Sequence, residues 1–125
     1  MKKILPVLLI VALIPLAVWA KSQAKITFAE TTYNFGTISE NGGKVTHTFK
    51  FTNTGDANLV ITDATAECGC TEPKYPAQPI KPGGTGTITV TYNPKYRPGP
   101  FVKNITVRSN ASNKKVVIKI KGTVK

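Results

Sequence analysis

The feature that most constrains this chain is a two-residue alternation of apolar and polar side chains that recurs from Val45 to its end. Val45, His47, Phe49 and Phe51 alternate with Thr46, Thr48, Lys50 and Thr52. Successive side chains of an extended strand point to opposite faces, so one set faces a core and the other faces water. Ile88, Val90 and Tyr92 repeat the pattern against Thr87, Thr89 and Thr91, and Val116, Ile118 and Ile120 repeat it against Val117, Lys119 and Lys121. Beyond Ala24 there is no sustained spacing of three and four, so strands rather than helices are expected.

Shorter runs at 25–29, 33–38, 59–65 and 102–108 bring the expected count to about seven strands. Between them stand turn-forming clusters such as Glu40-Asn41-Gly42-Gly43, Lys81-Pro82-Gly83-Gly84 and Arg97-Pro98-Gly99-Pro100. This punctuation predicts an all-β fold, an immunoglobulin-like antiparallel β-sandwich. The two cysteines lack the wide spacing of an antibody-type bridge, so the likeness is one of architecture. The terminal strand, with its outward lysines, is expected at a sheet edge. A hairpin closed by the 53–58 turn would pair Thr52 with Leu59 and set His47 opposite Ala64.

Met1-Lys2-Lys3 and the uncharged run from Ile4 to Ala20 have the basic start and apolar middle of a secretory signal. The run barely reaches the length of a bilayer span, and Pro6 and Pro15 interrupt it. Small residues suit cleavage after Ala20 or after Ala24, with Ala24 preferred, so 1–24 reads as leader and 25–125 as one domain. A chain of 125 residues can fill one core but not two. The first cysteine is Cys68, which excludes a lipid-modified cysteine at the cleavage site. The expected product is exported, periplasmic or at the cell surface or outside it, with no transmembrane segment once the leader is gone.

Removing Lys2, Lys3 and Lys21 leaves 14 lysines and arginines against six acids, a net charge of +8. Such a balance steers anionic partners over long range, and an anionic envelope polysaccharide is one expected partner class beside an unknown protein. Nucleic acid is excluded by export and by the lack of interleaved basic and aromatic residues. The six carboxylates and single histidine form no paired motif of the kind hydrolases need, so no catalytic residue is assigned.

Cys68-Gly69-Cys70 is the one motif with a reactive spacing. In an extended strand its Cα atoms would lie roughly 7 Å apart, at the upper limit for a disulfide, so a bond requires a bend that Gly69 permits. An oxidising compartment favours that bond, and so short a loop favours its reduction. Glu67 and Glu72 flank the pair and oppose a thiolate, with only Lys74 to offset them. A metal would need a third protein ligand. His47 is the sole histidine, and the hairpin register leaves it roughly 13 Å along the strand from Cys68. Cys68 and Cys70 are therefore a candidate disulfide or redox pair, His47 at most a minor contributor, and no cofactor or metal site is assigned.

Tyr33-Asn34-Phe35-Gly36, His47-Thr48-Phe49-Lys50-Phe51, Asn53-Thr54-Gly55, Cys68-Gly69-Cys70-Thr71, Pro82-Gly83, Gly99-Pro100-Phe101 and Ser109-Asn110 occur in an order that resembles the bacterial secreted family called domain of unknown function 1573. The resemblance spans nearly all of the chain after the leader and implies an immunoglobulin-like domain related to Hydin-like modules, without an established activity, substrate or cofactor. Asn34 and Glu67 depart from the residues usual at those positions. The reading that results is an exported, non-catalytic binding or structural module of the bacterial cell envelope; the alternative is a thiol redox or metal-binding protein built on Cys68-Gly69-Cys70.

Overall fold

The structure, a computed structural model, describes residues 21–125. The expected leader segment through Ala20 lies outside the described residues. Eight strands follow: β1 (Ile26–Phe28), β2 (Thr32–Ile38), β3 (Val45–Asn53), β4 (Ile61–Ala66), β5 (Thr71–Lys74), β6 (Thr85–Tyr92), β7 (Gly99–Ser109) and β8 (Lys115–Val124). They form two four-stranded sheets, in the orders β1-β3-β6-β5 and β2-β8-β7-β4. An all-β, two-layer sandwich results, and among the described residues there is no helix.

Alternation sets the register. Along β3 and β6, His47 faces Val90 and Phe49 faces Ile88 on the core side, while Thr46 faces Thr91 and Thr48 faces Thr89 on the water side. A slip of one residue would expose every apolar side chain of the pair, so the pairing is strongly specified. Phe49, Phe51, Ile88 and Val90 of one sheet meet Ile105, Val107, Ile118 and Ile120 of the other, all essentially excluded from solvent. The Phe51 ring lies directly on Gly86, where a Cβ would sit in the space the ring occupies. Tyr92 and Phe101 stack across the layers with ring centroids 4.1 Å apart.

Three expectations need correction. The terminal strand β8 is not an edge: it lies between β7 and β2, and its pairing with β2 is parallel, so the sandwich is not wholly antiparallel. Outward lysines on β8 face water across the broad side of the sheet, which an internal strand also exposes. Strands β3 and β4 do not form a hairpin, because the turn after Asn53 carries the chain to the opposite sheet, where β4 pairs with β7. Finally, the strand count rises from about seven to eight through β5, a short edge strand that contains Pro73. An edge is where a sheet tolerates proline, and the proline concealed the strand in the sequence.

Between the layers' ends, Asn53 is a fully buried polar hub. Its Nδ2 donates to the carbonyls of Ala57 at 2.7 Å and Ile80 at 2.9 Å. Its Oδ1 accepts from the amides of Gly55 at 3.0 Å and Lys25 at 3.3 Å. Both donor hydrogens and both acceptor lone pairs are thereby used, which is the full capacity of a carboxamide. Its backbone adds bonds to Gly84 and Gly83, so one residue ties four chain segments together.

The domain also takes in residues that the sequence reading placed in the leader. Ala24 is buried in the core, and its carbonyl accepts from the Ser112 amide at 2.8 Å. The Gln23 amide donates to Asp56 Oδ1 at 2.7 Å, and its carbonyl accepts from the Asp56 amide at 2.9 Å. Gly55 is required beneath this segment, since a Cβ there would collide with the backbone of Gln23 to Lys25.

Two outcomes follow for equilibrium unfolding in urea. Replacing Asn53 with Ala removes four hydrogen bonds and leaves the Ala57 carbonyl and the Gly55 and Lys25 amides without this partner, while the Ile80 carbonyl keeps the Leu59 amide, so N53A should lose about 2–3 kcal/mol, whereas T54A, on the exposed neighbour, should lose under about 1 kcal/mol. A chain starting at Lys25 should be less stable than one starting at Lys21 by about 2 kcal/mol, because it lacks the Gln23 and Ala24 hydrogen bonds and the Ala24 methyl.

Candidate functional site

The cysteine motif occupies the crossover from β4 in one sheet to β5 in the other. Four residues, Glu67 to Cys70, carry the chain between layers, and Cys68 and Cys70 are bonded through their sulfurs with Cα atoms 5.2 Å apart. That separation lies within the ordinary disulfide range and measures the bend away from an extended strand. The Cys70 amide donates to Cys68 Sγ at 3.3 Å, the Thr71 amide donates to the Cys68 carbonyl at 3.1 Å, and the Asn93 amide donates to the Cys70 carbonyl at 2.9 Å. Cys70 packs into the core, while Cys68 is half-buried at its margin. A cleft of about 60 Å³ opens beside the bridge, lined by Lys44, Gly69, Cys70, Glu72, Thr91 and Asn93.

Gly69 lies within the bend without a left-handed conformation. It is exposed, its φ lies outside the left-handed region, and a Cβ would meet nothing within 4 Å. The bend comes from the hydrogen bonds on either side of it. Tyr92 pairs in register with Thr71 at the start of β5. Burial pushes its phenol above the usual tyrosine value, only partly offset by the nearby Arg97 guanidinium, so the hydroxyl stays neutral at physiological pH.

His47 is not brought to the cysteines. Instead of facing Ala64 it faces Val90 across the β3–β6 pair, two strands away from β5. Its ring stacks on Tyr33 of the opposite sheet at 3.5 Å between centroids and meets the Phe49 ring edge-on at 4.8 Å. Nε2 donates to the Glu30 carboxylate, and the side chain is 18% exposed. These contacts close the open side of the sandwich where the chain passes from β1 to β2. Among the described residues, no three His, Cys, Asp or Glu side chains gather as metal ligands.

The broad outer faces of the two sheets differ in chemistry. On the β1-β3-β6-β5 face, Thr46, Thr48 and Thr52 of β3 stand against Thr91, Thr89 and Thr85 of β6. The Thr46 and Thr91 hydroxyls are 3.1 Å apart. The β2-β8-β7-β4 face is basic: Lys115, Lys119 and Lys121 project from β8, and Arg108 of β7 stands opposite Lys115. Asp63 on β4 lies 3.8 Å from Arg108. The sequence shows the lysines of β8 as outward but suggests a guarded edge for them; the register, which adds Arg108 opposite Lys115, makes them part of a broad basic face.

A family model described as protein of unknown function (DUF1573) matches residues 26–124. No curated protein matches the chain. Among solved structures, a protein of unknown function from Porphyromonas gingivalis W83 aligns with a TM-score of 0.72 at 17% identity, covering 86% of this chain and 50% of that one. The VesB protease of Vibrio cholerae aligns with a TM-score of 0.64 at 15% identity, over 81% of this chain and 32% of the protease. For the YadV chaperone the TM-score is 0.58 at 14% identity, over 81% and 52% of the two chains. The chain thus spans about half or less of each of these proteins, and at such identities the likeness concerns the fold alone.

Because Gly69 is open and not left-handed, G69A should retain the Cys68–Cys70 bond and lie within about 0.5 kcal/mol of wild type. Alkylation of the denatured, unreduced protein followed by intact-mass measurement checks this; labelling of both thiols in G69A would show that the glycine is needed after all.

Proposed function

We propose, given that the chain belongs to the DUF1573 family, that it is an exported, non-catalytic binding module of the bacterial cell envelope. Its sandwich is read as immunoglobulin-like and related to Hydin-like modules, and binding is assigned to the broad sheet faces. One observation carries this reading: two open faces of contrasting chemistry flank a core into which the only disulfide pair is tied. In that setting the bridge acts as a staple. It holds the crossover between the sheets, and its loop constrains the unfolded chain by about 1–2 kcal/mol. The packing of Gln23 and Ala24 supports leader cleavage after Ala20, leaving Lys21 as the first residue.

The thiol redox reading has one observation in its favour, a cleft lined by Cys70 together with Lys44. The two readings separate in cells. With the leader in place, C68A/C70A should fold with a lowered urea midpoint and remain in the washed envelope fraction to the same extent as wild type. Wild type treated with a phosphine reductant should do likewise. Loss of retention by a folded variant, or by the reduced wild type with its fold intact, would overturn the binding-module reading in favour of redox chemistry. Intact mass of the exported protein should correspond to a chain beginning at Lys21.

A further inference from the structure

We propose that the outer face of the β2-β8-β7-β4 sheet binds a linear, carboxylate-bearing polysaccharide that runs along β8. This deepens the binding-module reading and rests on it. Side chains on one face of a strand recur at roughly 7 Å, so Lys115, Lys119 and Lys121 form a line of cations spanning about 20 Å. The acid on this face, Asp63, lies against Arg108, and among the described residues none of the three lysines has a carboxylate within ion-pair reach. Such a row presents uncompensated positive charge in one dimension, matched to a polymer whose negative charges also repeat in one dimension.

Two further features fit a sugar chain. Val117 stands between Lys115 and Lys119 along β8 and is 43% exposed, while Val102, opposite Lys121 on β7, is 57% exposed. They give the flat apolar ledges on which the CH faces of sugar rings can rest, whereas a face built to enter a membrane carries bulkier aromatic and leucine side chains. At the Lys121 end the row runs into a shallow groove of about 260 Å³, whose walls include Asn34, Val102, Lys121 and Thr123. The amide and hydroxyl there can hydrogen-bond sugar hydroxyls. The carboxylates pair with the lysine ammonium groups, and the rings lie across the valines.

The test uses the domain from Lys21 to Lys125, polygalacturonate as probe and titration calorimetry. Wild type should bind, with affinity falling steeply between about 50 mM and about 200 mM salt. K115Q/K119Q/K121Q should weaken binding about tenfold or more, whereas the charge-matched K44Q/K50Q/K74Q, which leaves this face intact, should weaken it less than about threefold. V102S/V117S should lower affinity without changing the salt dependence, and methyl-esterified polygalacturonate should not bind. Equal losses in the two lysine variants would overturn the proposal in favour of diffuse attraction. Binding to phosphatidylglycerol vesicles but not to polygalacturonate would overturn it in favour of a membrane surface. Absence of binding to either, with envelope retention intact in cells, would overturn the polysaccharide while leaving the module reading in place; loss of retention in wild type would remove both.

Discussion

The side chain of Asn53 is the constraint on which the closed end of this sandwich depends. A buried carboxamide is costly unless every donor and acceptor finds a partner, and here three segments supply them: Lys25 before β1, the adjoining Gly55 and Ala57 turn, and Ile80 of the long β5–β6 connection. The 53–59 turn therefore cannot relax into a hairpin, since a hairpin would carry these partners away. It sends the chain across to the opposite sheet, and the sheet orders follow from that crossing. Hydrophobic burial makes the layers adhere without specifying the path between them; the polar hub supplies the path.

Legibility in the sequence followed the same division. Strands with clean alternation, β3, β6 and β8, were evident in type and face, because burial of one face in every two is written directly in residue order. Connectivity was not. Asn53-Thr54-Gly55-Asp56 has the composition of a reversal whether the chain returns in its own sheet or changes layers, and only the buried partners of Asn53 decide. The parallel union of β2 with β8 was equally invisible, because residue order says nothing of which strand lies alongside. At the cysteines, spacing correctly demanded a bend, while the amides of Cys70, Thr71 and Asn93 that hold it are fixed only by the fold.

His47 and the lysines of β8 show how residue type and folded position combine. A single histidine in a chain with two cysteines attracts chemical interpretation, yet its ring lies flat on Tyr33 and joins the two layers. The outward lysines of the last strand suggest a guarded edge, yet the strand is internal, and its pleat sends Lys115, Lys119 and Lys121 to one side of a broad face. Sheet geometry thus turns a diffuse charge into a directed one, and it does so on an internal strand whose hydrogen bonds on both sides hold the row straight.

The contacts of the first described residues bear on the order in which the domain can form. Ile26 exchanges hydrogen bonds with the Asn113 side chain, 87 residues later, and Ala24 is capped by the Ser112 amide. The same amino end also has earlier partners, since Gln23 bonds to Asp56 and β1 pairs with β3, so it can seat on its own sheet before the segment around residue 112 exists to receive it. Docking of the amino end thus has two stages, the first on β3 and the turn that follows it, the second against the loop that joins β7 to β8.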